Sequence, residues 1–419
     1  MTCVYALSCR RPRLCGGLIG VAWALVTGLA SFAAEPPPGA GVADRARPDY
    51  DRVGAPLGLG RLYPELGLAM VAEDNVFAED GDAVDDIYLL ARPAIAFRTN
   101  AGRYKADLSA YAAHRAYREE TSEDRTDWGA AGAFEINMDG RLAARFAAAI
   151  DAAREDRGAI DAPLEAVEPV PARRFGGDGA VIFILNRLRF SLGGRYAVAD
   201  YDDVAARGGG VIDQDFRDNA AAFARVKAAL NLAPRVSAFI AAEAGRTDYD
   251  DDASFDRDSD GVKAEVGLDI EATKLLYGAL SVGAAREEFA AGTVESETFN
   301  AAVLWNATPL TSFRLSASRG VDAGVSTASV GRVATEVAAG VDHEVLRNLV
   351  LTLEGERGVY DYDAEARTDE IWGAAFRARY LLNPSVYATF ETRHDQRRSD
   401  LPFRDYDRTV LSIGLNVGR

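Results

Sequence analysis

"RLRFSLGGRYAVA", residues 187–199, alternates with a period of two. Leu188, Phe190, Leu192, Gly194, Tyr196 and Val198 fall on one face. Arg187, Arg189, Ser191, Gly193, Arg195, Ala197 and Ala199 fall on the other. Successive side chains of a β-strand point to opposite sides, so the stretch reads as a strand with one apolar and one charged face. "RYKADLSAYAAHRAY" (103–117), "GVKAEVGLDIEA" (261–272) and "RTVLSIGLNVG" (408–418) repeat the pattern. A soluble sandwich or propeller would need a second layer over each apolar face. A single sheet between lipid and water needs none.

The connections alternate as well. Short turns fall near 99–102, 139–140, 186, 231–234, 273–274, 307–309, 346–348 and 383–385. Longer polar loops fall near 78–85, 119–126, 155–173, 201–214, 246–258, 288–296, 320–329, 360–368 and 396–405. Eight short and nine long connections join eighteen strands. The expected fold is therefore all-β: a closed transmembrane antiparallel barrel with short periplasmic turns and long acidic extracellular loops. Closure is required because an open sheet edge cannot be satisfied in lipid. Trp128 and Trp372 then fall at the loop ends of their strands, and Tyr104, Trp305 and Tyr380 at the turn ends, as two interfacial aromatic girdles. "RLAARFAAAIDAARED" (141–156) also fits an amphipathic helix, since alanine favours helices. The strand reading is kept because its neighbours are strands. Pro93 lies inside a central strand, where the missing N–H predicts a bulge.

The chain begins with Arg10, Arg11 and Arg13, then an apolar run to Phe32 and a small-residue exit at Ser31 and Ala33. That order reads as a secretory signal over 1–33, cut before Ala34. Residues 34–60, with "AEPPPGAG", read as a flexible periplasmic lead-in, and 61–419 as the barrel. Cys3, Cys9 and Cys15 all lie in the leader, so the exported chain carries no disulfide or cysteine-held metal. The net charge is −17, and an acidic surface argues against nucleic acid.

Candidate sites are few. "FDRDSDG" (255–261) places Asp256, Asp258 and Asp260 at alternate positions before Gly261, the first half of a calcium loop. The twelfth position is Gly267, where a bidentate Glu belongs. A weak Ca²⁺ or Mg²⁺ site, a cation bridge to lipid phosphates and a simply solvated acidic loop all fit. His114, His343 and His394 are far apart, and no Ser–His or His–Glu motif accompanies them, so no catalytic site and no cofactor are expected. On the lumen-facing register lie Arg103, Lys105, Arg115, Arg141, Arg145, Arg187, Arg189, Arg195, Arg225, Lys227, Lys263, Arg314 and Arg377. Asp107, Glu135, Asp151, Glu265, Asp269, Glu336 and Glu354 share that register. Such a wall either lines a water-filled pore favouring anions or pairs across strands to stabilise itself.

"RLYPELGLAMVAEDNVFAED" (61–80) and "DDIYLLARPAIAF" (85–97) carry Asp74, Asn75, Val76 and Phe77 after the first strand and Pro93 in the second. With "GGVIDQDFRD", "LWNATPLTSFRLSASRG", "VDHEVLRNLVL" and "YLLNPS", they resemble the β-barrel porin 2 family over about residues 45–419. The resemblance implies a Gram-negative outer-membrane barrel, with some relatives linked to export of exopolysaccharide or capsule, and it supplies no catalytic residues. The expected function is a non-enzymatic channel passing such a polymer. The alternatives are a general porin for small anionic solutes and a surface-interaction barrel with acidic loops. The expected partners are outer-membrane lipid and lipopolysaccharide, the insertion machinery and polysaccharide-export components. Arg419 ends the chain where many outer-membrane barrels carry an aromatic residue for that machinery.

Overall fold

The computed structural model describes residues 40–138, 140–250, 256–271, 275–323, 331–363 and 366–419. The leader at 1–33, the start of the lead-in, Asp139 and the turn at Thr273–Lys274 lie outside the described residues. Eighteen long strands run in order: β1 Gly60–Glu73, β2 Asp86–Ala101, β3 Tyr104–Tyr117, β4 Arg125–Asn137, β5 Leu142–Arg154, β6 Pro171–Leu185, β7 Leu188–Tyr201, β8 Asn219–Ala233 and β9 Val236–Tyr249. These are followed by β10 Ser259–Ile270, β11 Leu276–Phe289, β12 Gly292–Thr308, β13 Thr311–Ala323, β14 Gly331–Leu346, β15 Leu349–Tyr362, β16 Thr368–Asn383, β17 Val386–Ser399 and β18 Tyr406–Gly418. Each pairs antiparallel with the next, and β1 pairs with β18 from Glu65↔Gly418 to Glu73↔Val410. The eighteen strands therefore close on themselves, and a short strand at Ala55–Leu57 folds back on the start of β1.

The alternation of residues decides which way each side chain points. On β7, Leu188, Phe190 and Leu192 are exposed on the outside, whereas Arg189 and Arg195 turn into the lumen. Leu66, Leu68 and Met70 do the same on β1, opposite the buried Ala69 and Val71. An apolar exterior this extensive has lipid as its solvent. Trp128 and Trp372 lie outside near the loop ends, and Tyr104, Trp305 and Tyr380 outside at the turn ends. Trp305 stacks on Phe313 and Tyr104 on Phe134 across neighbouring strands. At one short turn Gly102 has φ +66°, a conformation available to glycine without steric cost.

Residues 142–154 form a strand despite their alanine content, because β4 and β6 pair along both of its edges. Tertiary pairing overrides helix propensity here. The bulge expected at Pro93 is absent. Pairing of β2 with β3 lapses between Ala91↔His114 and Ala94↔Tyr111 and resumes in the same register. Pairing with β1 runs through Leu66↔Pro93 without a break. A missing N–H removes a rung but adds no residue, so the ladder skips instead of shifting. The register shifts that do occur lie at turn ends, as between Asn231 and Ala233.

Candidate channel lumen

The charged inner wall is largely paired with itself. Lys105 meets Glu135 at 3.3 Å, Asp107 meets Arg98 at 3.4 Å, and Arg115 meets Asp127 at 3.4 Å. Arg145 stands across the ladder from Glu135. Arg195 reaches Glu243 at 3.4 Å and lies over the Phe223 ring. Arg225 and Lys263 share the buried Glu265 at 3.1 and 2.8 Å, and Lys227 pairs with Asp269 at 3.0 Å. Arg314 spans Asp342 and Glu354, and Arg377 pairs with Glu391 at 3.0 Å. Arg189 faces inward near the turn end. Arg103, Arg141 and Arg187 have the inward parity but lie past the last rungs, exposed beside the short turns.

The lumen is also crossed by the chain. Residues 155–170, expected as an outer loop between β5 and β6, turn inward instead. Asp156 binds Arg408 at 3.0 Å, and the Tyr406 hydroxyl donates to the Gly158 carbonyl at 3.3 Å. Arg397 donates to the Ala159 and Ile160 carbonyls, each at 3.2 Å, and Arg404 to Ile160 at 2.9 Å. Asp161 meets Arg332 at 3.0 Å. Arg332 lies on β14, nine strands from β5 and so halfway round the barrel. Ile160 is buried among Tyr360, Tyr362 and Ile371 of that far wall. The base of the loop is fixed by Arg157 to Glu123 at 2.5 Å and by Arg217 to Glu155 at 2.7 Å. Beside the loop the wall encloses a cavity of about 340 Å³, lined by ten basic and nine acidic side chains among the described residues. Its charge is close to balanced.

Asp156 ties this docking to pH. Burial alone would push its carboxyl up, but the Arg408 and Arg125 guanidiniums and the Gly158 N–H hold it at about 2. A carboxylate depressed below its ordinary value of about 3.9 contributes fully above that value and is lost as pH falls through the folded one. The share of Asp156 in the docking should therefore be constant from about pH 7 to pH 4 and be lost only as pH approaches about 2. The open-channel currents of the unmodified protein and of Asp156→Asn should differ from about pH 7 to pH 4 and converge near pH 2; a difference already gone near pH 5 would contradict this role of Asp156.

At the turn end, residues 40–52 of the lead-in pack inside the mouth. The Val42 N–H donates to Ser312 Oγ at 2.8 Å, Asn306 donates to the Ala40 carbonyl at 3.2 Å, and Arg379 to the Ala43 carbonyl at 3.0 Å. Arg47 is buried against Glu344 at 2.9 Å and the Val42 carbonyl at 2.8 Å. The lead-in from residue 40 onward is thus a bonded segment of the wall, although its composition reads as flexible. Removing one partner of a buried hydrogen-bonded charge leaves the other unsatisfied. Arg47→Ala should cost about 1–3 kcal/mol locally and expose Arg45 and Arg52 to trypsin. An unchanged cleavage pattern would contradict this attachment.

The acidic candidate reads differently in three dimensions. Asp258 accepts from Arg246 at 2.9 Å and from the Tyr249 N–H at 2.8 Å, and Asp256 accepts the Asp258 N–H at 3.0 Å. Asp260 stands across from Arg246 on the outward side. Gly267 faces backbone and the Phe239 ring so closely that no side chain fits there. Among the described residues, converging carboxylates belong to Asp203, Asp213 and Asp215, all exposed in the loop after β7. Sequence spacing did not single those out.

A family model described as "Putative beta-barrel porin 2" matches residues 47–419. The chain belongs to this family. It is thereby a porin-like β-barrel channel of the Gram-negative outer membrane, and its short turns face the periplasm. No curated protein matches the chain. Among solved structures, it is similar to the outer membrane protein OpdK of Pseudomonas aeruginosa, at 12% identity over 85% of this chain and 99% of that one, TM-score 0.44. It is also similar to a BenF-like porin of Pseudomonas fluorescens Pf-5, at 10% identity over 87% and 100%, TM-score 0.45. A third is the siderophore receptor PirA of Acinetobacter baumannii, at 6% identity over 85% and 80%, TM-score 0.46. In this β-barrel porin 2 protein, several wall residues escape a reading of parity alone. Arg217 and Arg257 reach the cavity from loops, where parity assigns no direction. Arg332 and Arg408 carry the inward parity of their strands and were legible had the alternation been extended to the loop ends.

Proposed function

We propose that this protein is a non-enzymatic diffusion channel for small water-soluble solutes. The observation that carries the reading is the docking of residues 155–170 across the lumen, from Asp156 on Arg408 to Asp161 on Arg332. A barrel of eighteen strands is wide enough for an aqueous channel, and an internal loop narrows it to a filter. The near-balanced cavity supports weak charge preference instead of the anion selectivity that the basic residues alone suggest. A polymer chain would have to displace both the loop and the lead-in, which favours small solutes over exopolysaccharide. Proteoliposome swelling tests this. Monosaccharides should enter rapidly, with a rate that falls steeply with size through di- and trisaccharides. No swelling at all would favour a surface-interaction barrel, and equal rates for long oligosaccharides would favour polymer export.

A further inference from the structure

The charges around the cavity beside the inward loop are balanced in number but not in place. Among the described residues, β2–β7 give it six basic and two acidic side chains, whereas β9–β14 give it two basic and four acidic ones. β2 and β11 stand nine strands apart in a closed ring of eighteen, as do β5 and β14, so the two walls face each other. A cleft with low-dielectric walls focuses such a field across the solute path.

Each wall also offers charge that the protein does not pair. Arg92 on β2 lies 4.7 Å over the Tyr111 ring and has no carboxylate partner among the described residues. On the facing wall, Glu287 of β11 accepts only the Ser259 hydroxyl, at 2.7 Å, and Glu336 of β14 only the Tyr360 hydroxyl, at 2.8 Å, among the described residues. Asp322 on β13 adds a third carboxylate, which Arg332 holds at 2.7 Å. Thr298 on β12 comes between Glu287 and Glu336 in strand order and lines the cavity at 3% exposure. Its Oγ1 meets no hydrogen-bond partner among the described residues. A buried polar atom left so is costly and leaves an acceptor for a bound donor. One residue past the Phe299↔Arg319 rung, Gly320 leaves open space where a side chain would stand.

A small zwitterion matches this arrangement. It gains nothing from net wall charge, yet a narrow passage strips water from both of its ions at a cost. Opposed walls offset that cost for both ends in a single orientation, and a neutral sugar has no such gain. We propose that the channel favours small zwitterionic solutes of the α-amino acid type. The ammonium turns toward Glu287, Glu336 and Thr298, and the carboxylate toward Arg92. This inference rests on the channel reading and names the solute class of the same passage.

The test uses proteoliposomes carrying the whole protein and compares swelling in L-threonine and in erythritol, two solutes of nearly equal size and no net charge. In the unmodified protein, L-threonine should enter several-fold faster than erythritol. In R92Q, and in E287Q/E336Q, the ratio of the two rates should fall toward one. Equal rates in the unmodified protein, or a full ratio in either variant, overturn the proposal and leave the channel reading standing. No entry of either solute overturns the channel reading and this inference with it. If the variants fail to fold, concentrated potassium chloride on both sides of the membrane screens the walls of the unmodified protein. A ratio that falls toward one in salt supports the proposal, and an unchanged ratio overturns it.

Discussion

Glu265→Ala should be the most destabilising single change in the lumen wall. The carboxylate is buried on β10 and takes Arg225 at 3.1 Å, Lys263 at 2.8 Å and the Asn300 amide at 2.6 Å. Removing it takes the shared anion from Arg225 and Lys263 and leaves the two cations to Glu243, which stands between them across both ladders. Breaking a buried ion pair from one side costs about 3–5 kcal/mol, chiefly because the survivor stays uncompensated. The urea midpoint of the refolded barrel should fall accordingly, and adding Lys263→Ala should recover part of the loss. A midpoint unchanged within error would mean that lumen water already screens these charges. Glu265→Gln keeps the Asn300 contact and should cost less.

The second large effect concerns the inward loop. Asp156→Asn with Asp161→Asn removes the loop's own anions facing Arg408 and Arg332, leaving the loop tip held by carbonyl contacts and the Ile160 side chain. Those arginines keep Glu73, Asp395 and Asp322 on the wall, so the loop loses its charge attraction while the wall stays paired. Arg157 offers a reporter, since its guanidinium is now enclosed by Glu123 and the Ala166 and Val167 carbonyls. Trypsin should cut after Arg157 many times faster in the double variant than in the unmodified protein. Equal rates would show that the carbonyl contacts alone suffice.

Strand count, closure and the direction of most wall residues were legible because lipid and water impose a strict period of two. "RLRFSLGGRYAVA" illustrates the reach and limit of that signal: Arg189 and Arg195 face inward as expected, while Arg187 belongs to the turn. Pro93 was legible as an anomaly but not in its consequence, because a missing donor can be absorbed by a skipped rung. Residues 155–170 carry no periodicity that separates an inward loop from an outward one. Their direction depends on Arg332, Arg397 and Arg408, which lie more than 170 positions away and meet the loop only once the barrel has closed. From residue 40 onward the lead-in is bonded to the wall through Val42 and Arg47, partners that its composition does not contain. The pairing of wall charges likewise required the register between strands, which parity within one strand does not contain.

The central claim is that an aqueous channel runs through this barrel and that residues 155–170 set its width. Single-channel recording in planar bilayers tests it most directly, with the unmodified protein beside a variant whose residues 157–168 are replaced by a short Gly-Ser linker. The account predicts small, steady unit conductances for the first and a several-fold larger unit conductance for the second. Identical conductances, or the absence of channels in both, would contradict it.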